Sequence, residues 1–228
     1  MRRNELTPTK AWIYAGLVLA GGVGAAAAVS SIGRPLLKKG DRILFVGDSL
    51  SVGLNRPIKA LAQEAGYEYA HIGKVGSFTS LWANESAEGG QFTTLLRTFK
   101  PTLVLVSLGT NDEWIPKNNP SKQVLSLQKP HVDRLVAKIQ SLGARIAWIG
   151  PPQHNYVPAP DFRAYIQKLV GKGSYFHSER YTIPRQPPPD NVPHPTVRGY
   201  ALWAGVIWRW LETGRAPAQP KTELGKVR

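Results

Sequence analysis

Apolar runs of about six residues alternate with segments of helical spacing, and this alternation constrains the fold more than any other feature. A continuous apolar run is typical of a parallel strand that is covered by helices on both faces. Strands that alternate with helices predict a parallel sheet between two helical layers. The predicted strands are Arg42–Gly47, Tyr67–Ile72, Thr102–Leu108, Arg145–Gly150 and Gly173–His177.

Between these runs, the apolar positions recur at intervals of three and four residues. Gly66 and Gly143 stand where glycines commonly end helices. The predicted helices are Val52–Ala65, a stretch within Phe92–Phe99, Lys129–Leu142, Asp161–Leu169 and Thr196–Leu211. The elements together predict one α/β domain over residues 41–211, followed by a flexible tail over residues 212–228.

The N-terminal segment carries 23 uncharged residues between Lys10 and Arg34. Because about 20 apolar residues span a bilayer as a helix, residues 1–33 are predicted to be a single-pass transmembrane anchor. Two alternatives remain, namely a signal peptide that is cleaved near Ala26–Ala28 and a buried soluble helix. With the anchor, residues 34–40 form a basic linker and the domain lies outside the cytoplasm; with cleavage, the protein is secreted.

The composition restricts the partners and the redox chemistry. The chain has no cysteine, which excludes disulfides and thiolate metal sites. The net charge is +14, and +12 of it remains without residues 1–33. Such a charge favours an anionic envelope polymer, a lipid headgroup surface or no specific anionic partner. Nucleic acid is disfavoured, because the sequence has no basic helix, aromatic ribonucleoprotein motif or zinc module.

Residues suited to chemistry follow two of the predicted strands. Ser49 stands in Gly47-Asp48-Ser49-Leu50, directly after the first strand, and Asn111 stands in Gly109-Thr110-Asn111-Asp112, after the third. Open α/β sheets bind ligands outside the carboxyl ends of their strands. A histidine that accepts the proton of the serine hydroxyl would activate it as a nucleophile. His194, with Asp190 nearby in sequence, is the candidate base.

These strings resemble the GDSL/SGNH hydrolase superfamily over about residues 41–211. The strings are ILFVGDSLSVG at 43–53, VGS at 75–77, LVLVSLGTND at 103–112, WIGPP at 148–152 and DNVPHPTVRGY at 190–200. The resemblance implies a flavodoxin-like three-layer α/β/α sandwich with a five-stranded parallel sheet. It also implies ester hydrolysis by a nucleophilic serine without a cofactor.

The family pattern assigns a role to each matching position. Ser49 is the nucleophile, His194 the base and Asp190 the carboxylate that orients it. The backbone N–H groups of Ser49 and Gly76 and the side chain of Asn111 are the oxyanion donors. For Ser49 the ordinary alternative is a helix N-cap.

Other positions near the motifs have simpler interpretations. Gly73 is a rival to Gly76 as the oxyanion glycine, and Asn111 could merely tie its loop to the backbone. Asp48 and Asp112 are predicted to organise their loops. We find no metal-ligand cluster and no phosphate-binding loop in the sequence.

The last motif departs from the family pattern. Three residues, not two, separate Asp190 from His194. Either the loop bulges and restores the contact, or the site works as a Ser–His dyad, or activity is weakened or lost. Trp114 and His154 are further candidates for lining the substrate pocket.

The leading hypothesis is a serine esterase that removes short acyl groups, O-acetyl above all, from an envelope carbohydrate. A second hypothesis keeps the reaction and changes the substrate to a lipid ester or thioester, as in lysophospholipases. A third is a binding or structural module that keeps the fold without turnover.

Overall fold

The computed structural model describes residues 33–113, 121–153, 159–186 and 194–218. Its centre is a parallel five-stranded sheet in the order β2-β1-β3-β4-β5. This is the strand order of flavodoxin-like folds, and it confirms the predicted parallel sheet. The strands are β1 (Arg42–Gly47), β2 (Glu68–Gly73), β3 (Leu103–Ser107), β4 (Arg145–Ile149) and β5 (Tyr175–Phe176).

Helices cover both faces of the sheet. The helices are α1 (Ser49–Glu64), α2 (Thr79–Ala83), α3 (Ala87–Phe99), α4 (Ser121–Gln140), α5 (Pro160–Val170) and α6 (Val197–Thr213). One apolar cluster joins α1 and α6 to the sheet, and a second cluster joins α2, α3, α4 and α5 to its other face. Strands β1 and β3 are buried on both faces, which explains their uninterrupted apolar runs.

The helices differ most from the sequence-based bounds at their amino ends. Helix α1 begins at Ser49, three residues earlier than predicted, because the Asp48 carboxylate accepts the Leu50 N–H at 2.9 Å and caps the helix. The alternative role of Ser49 as the N-cap is therefore wrong. Helix α4 begins at Ser121 and contains Pro130. Helix α2 was missed, since five residues are too few to show a period.

The segments at the two ends of the domain were predicted to be a membrane anchor with a basic linker and a flexible tail. The predicted membrane segment lies outside the described residues, and none of the helices that are described is long and apolar enough to cross a bilayer. The predicted basic linker packs against the end of α6: the Leu211 carbonyl accepts the N–H groups of Leu36 and Leu37, and the Leu37 side chain is buried. At the other terminus, the Pro217 carbonyl accepts the Tyr181 hydroxyl at 2.7 Å.

Helices α1 and α6 approach each other closely at Gly53. A Cβ atom at Gly53 would lie 2.0 Å from the Tyr200 ring, whereas one at Gly205, also in a helix, would meet nothing within 4 Å. We expect Gly53→Ala to lower the free energy of unfolding by about 1–3 kcal/mol through overpacking. Gly205→Ala should instead raise it by about 0.5–1 kcal/mol, because alanine is the better helix former. Chemical denaturation of both variants checks this, and equal effects would show that the close approach is absent.

Candidate active site

The strand order reverses between β1 and β3, and the sequence-predicted residues gather at this switch point. Strand β1 lies between β2 and β3, so the loops that follow these three strands are neighbours. Ser49 follows β1, Gly76 follows β2 and Asn111 follows β3. Sheets of this kind hold ligands where such loops meet, at the carboxyl ends of the strands.

Ser49 and His194 are in direct contact, although 145 residues separate them in the chain. The Ser49 Oγ lies 2.7 Å from the His194 Nε2, within hydrogen-bond distance. Burial lowers the pKa of the His194 imidazole from its ordinary value of 6.5. The ring is therefore neutral at neutral pH, and a neutral Nε2 can accept the hydroxyl proton.

A short stretch of paired backbone holds His194 in place. The His194 carbonyl accepts the Gln186 N–H at 3.2 Å, and Pro195 forms a β-bridge with Arg185. Thr196 then caps α6, accepting the Gly199 N–H at 3.0 Å on its hydroxyl. Because α6 packs on α1, which begins at Ser49, the two helices fix the base relative to the nucleophile.

The loop after β2 favours Gly76 over Gly73 as the glycine that faces the substrate. Gly76 has a φ of 72° and free space where a Cβ would lie. A side chain at Gly73 would instead meet the Ser51 Oγ at 2.6 Å and the His71 ring at 2.8 Å. Gly73 therefore serves close packing inside the domain, while Gly76 serves a turn that needs a positive φ.

Asn111 ties the loop after β3 to the loop after β2. Its Nδ2 donates to the Ser77 carbonyl at 2.8 Å, and an amide carries a second N–H that remains for another acceptor. The Asp112 carboxylate accepts the Thr79 N–H at 3.1 Å and the Thr79 hydroxyl at 2.8 Å. Asn111 can thus tie the loops and still present a donor, and Asp112 organises its loop as predicted from the sequence.

Asp48 directly precedes Ser49, and its carboxylate is buried. Burial, and to a lesser degree the charge of Asp112, raises its pKa from 3.8 to about 7. In the unfolded chain the carboxyl releases its proton near its ordinary pKa, so the folded state binds more protons between pH ~4 and ~7. This group therefore makes the protein less stable as pH rises through that window.

Replacing Asp48 by asparagine should remove this pH dependence and retain the helix cap. We expect Asp48→Asn to match the parent protein near pH ~4 and to exceed its free energy of unfolding by on the order of 2 kcal/mol near pH ~8. Part of the parent slope remains, since burial also raises the pKa of Asp112 to about 6. Denaturant titrations across pH measure the difference, and two parallel curves would contradict it.

Three sequence-predicted residues lie outside the described residues, namely Asp190, Trp114 and His154. Their assigned roles remain predictions.

A second serine–histidine contact lies beside the first and was not predicted. The Ser51 Oγ lies 3.3 Å from the His71 Nε2, but it donates its proton to the Asp48 carbonyl at 2.7 Å. The Ser51 side chain is fully buried, and burial lowers the pKa of His71 to about 4. This pair is therefore a packing feature, since no substrate can reach the hydroxyl.

The ion pair of Glu113 with Arg163 was also missed. The guanidinium donates to both carboxylate oxygens, at 2.5 and 2.6 Å, and joins the loop after β3 to α5. The sequence signal was the acidic residue directly after Asp112, but its partner lies 50 residues later.

A family described as "Protein of unknown function (DUF459)" matches residues 42–172. The chain belongs to this family. No curated protein sequence matches the chain.

Solved structures share the fold. A protein of Slackia heliotrinireducens, assigned provisionally to the SGNH hydrolases, has a TM-score of 0.54 at 16% identity, covering 75% of this chain and 98% of its own. The psychrotrophic esterase EstA of a Pseudoalteromonas species has a TM-score of 0.52 at 20% identity, with 75% and 98% covered. A family 3 carbohydrate esterase of Clostridium thermocellum has a TM-score of 0.50 at 18% identity, with 75% and 94% covered.

The resemblance predicted from the sequence is confirmed. DUF459 is an SGNH/GDSL-like family, and the motif order, the fold and the Ser49–His194 contact agree with it. The chain has the fold, the motif order and the serine–histidine contact of the GDSL/SGNH superfamily.

Proposed function

We propose that this protein removes short O-acyl groups, O-acetyl above all, from an envelope carbohydrate. The observation that carries the chemistry is the 2.7 Å contact between the Ser49 Oγ and the His194 Nε2. A serine hydroxyl becomes an effective nucleophile only when a base of this kind removes its proton.

In the proposed reaction, the Ser49 Oγ attacks the ester carbonyl while its proton moves to His194. The oxyanion accepts hydrogen bonds from the N–H groups of Ser49 and Gly76 and from the Asn111 amide. His194 then donates the proton to the departing alcohol, which leaves an acyl-enzyme. Water then attacks the acyl carbonyl while its proton moves to His194, and His194 returns this proton to the Ser49 Oγ as the acid leaves. Asp190 orients the imidazole and stabilises its charged form.

The space beside Gly76 favours a polar substrate. A cleft of about 390 Å³ runs along the loop after β2 and the start of α2 and α3. Its exposed and half-buried polar lining consists of Lys74, Ser80, Asn84 and Ser86. Hydroxyl and amide groups of this kind can hydrogen-bond to sugar hydroxyls. The name of the Clostridium thermocellum structure agrees with this substrate class, but the cleft is the observation on which the proposal rests.

A lipid ester is the second candidate, and one observation favours it. Val75 and Phe78, on either side of the Gly76 turn, are 68% and 39% exposed. Exposed apolar side chains at the mouth of a cleft could contact an acyl chain.

Parallel hydrolysis assays distinguish the two substrates. Purified full-length protein is incubated with an acetylated oligosaccharide and with a lysophospholipid, and the released acid is measured. We expect kcat/KM for the acetylated sugar to exceed that for the lysophospholipid by at least about tenfold, since a missing polar or apolar fit costs about that factor or more.

Two variants link this preference to the cleft. Asn84→Ala should lower kcat/KM for the sugar and leave that for the lysophospholipid unchanged, while Phe78→Ser should do the reverse. A preference for the lysophospholipid would overturn the carbohydrate assignment, and hydrolysis of neither substrate would overturn both substrate assignments.

A further inference from the structure

The edge of the domain opposite Ser49 is strongly basic. The turn before β1 carries Lys38 and Lys39, the end of α3 carries Arg97 and Lys100, and the end of α6 carries Arg209 and Arg215. All six side chains are exposed, and we call this surface the basic face. Lys38 and Lys39 precede the amino end of β1, and the other four residues lie at the carboxyl ends of helices. These helices end at the edge of the sheet where the strands begin.

Hydrogen bonds to backbone carbonyls hold the three parts of the basic face together. The Arg42 guanidinium donates to the Lys100 carbonyl, with its Nε at 2.9 Å, which joins the end of α3 to β1. The Leu211 carbonyl accepts the Leu36 N–H at 2.8 Å, which joins the end of α6 to the segment before Lys38. The backbone segments that carry the basic side chains therefore form one continuous surface.

Few carboxylates offset this charge. Asp41 is buried and paired with Arg145, and Glu212 accepts the Trp208 indole N–H at 3.0 Å. The other exposed carboxylates near these cations are Glu64, Glu68 and Glu85, and Glu85 lies within electrostatic range of Arg97. Within the described part of the chain, none of the six cations of the basic face makes an ion pair. The face is thus available to an anionic partner.

We propose that the basic face docks onto the anionic headgroups of a lipid bilayer. Charge complementarity is the first argument, because each lysine or arginine near an anionic membrane surface strengthens binding about fivefold. The path of the chain is the second. Gly33 packs against Gly214 at the end of α6, so the uncharged residues 11–32 join the domain at this face.

Docking in this way determines where the catalytic site points. Ser49 lies at the carboxyl end of β1 and the basic face at the amino ends, so Ser49 is directed away from the bilayer. A site so directed meets polymers of the envelope rather than lipids of the same membrane. Docking does not depend on ester hydrolysis, because the basic face and Ser49 lie at opposite ends of the strands. A variant can therefore lose one property and keep the other.

The absence of cysteine allows one fluorophore to be placed at a chosen position. Ala216→Cys labels the basic face, and Val197→Cys labels the other end of α6, about 25 Å away. The labelled full-length protein is reconstituted into vesicles of phosphatidylcholine, with and without phosphatidylglycerol, that carry a headgroup quencher. We expect phosphatidylglycerol to increase quenching at residue 216 but not at residue 197, and high salt to reverse the increase.

Matched charge reversals test the residues. Lys38→Glu, Lys39→Glu and Arg209→Glu together should weaken docking by more than about a hundredfold, because the loss of three cations alone costs about fivefold each. Arg56→Glu, Lys59→Glu and Lys122→Glu change the net charge equally on other surfaces and should leave docking intact. Hydrolysis of a soluble ester should be unchanged in both triple variants.

Four results would overturn the proposal: equal quenching at both labels, no response to phosphatidylglycerol, equal loss in both triple variants, or no association with vesicles. Duplex DNA added as a competitor tests the alternative partner. If it releases the basic face from the vesicles when its phosphate charge is below the charge of the phosphatidylglycerol present, the face would be assigned to nucleic acid instead.

Discussion

Ser49→Ala is expected to abolish labelling by a fluorophosphonate and to lower ester hydrolysis by on the order of 10⁵–10⁶-fold. The reason is that only Ser49 places a partly exposed hydroxyl 2.7 Å from a neutral imidazole among the described serine–histidine contacts. Labelling is followed by intact-mass spectrometry and hydrolysis by release of acid from a soluble ester.

Ser51→Ala is the matched control. Ser51 lies two positions after Ser49 and also contacts a histidine, His71. Its hydroxyl is fully buried and donates to the Asp48 carbonyl. We expect Ser51→Ala to lose stability and to keep its labelling. If the folded parent protein takes no label, the domain is a binding module without turnover, and if Ser49→Ala still takes label, the nucleophile is another residue.

The sequence was sufficient for the sheet and for the residues that follow its strands. Buried parallel strands such as β1 and β3 carry a signal in every residue, so their bounds were predicted to within one residue. Ser49 and Asn111 follow these strands directly, and the position of a strand end fixes the position of the next residue. Motif order then placed His194 at the same edge.

Pairings between distant residues could not be predicted in the same way. The bond from Asn111 to the Ser77 carbonyl depends on a turn that Gly76 makes with a positive φ, and the turn leaves no periodic signal. The Glu113–Arg163 ion pair depends on how α5 packs. Such contacts form only after tertiary packing, which fixes distances that local propensity does not.

Asn111→Ala is expected to lower kcat by about 10²–10³-fold and to change KM little. The amide would stabilise the oxyanion, a charge that develops only in the transition state, so its loss affects turnover more than substrate binding. The same substitution also removes the bond to the Ser77 carbonyl, which should cost about 1 kcal/mol of stability. A fall in kcat alone would therefore leave two explanations.

Thr79→Val separates the two explanations. It removes the 2.8 Å bond from the Thr79 hydroxyl to Asp112, which joins the same two loops, and it leaves the Asn111 amide in place. If Asn111 donates to the oxyanion, Thr79→Val should lower Tm at least as much as Asn111→Ala and reduce kcat only a fewfold. If Asn111 acts by holding the loops together, the two variants should lose kcat in proportion to their loss of stability. Measuring kcat, KM and Tm for both proteins therefore decides whether the amide contacts the reacting atoms or only positions the loop that does.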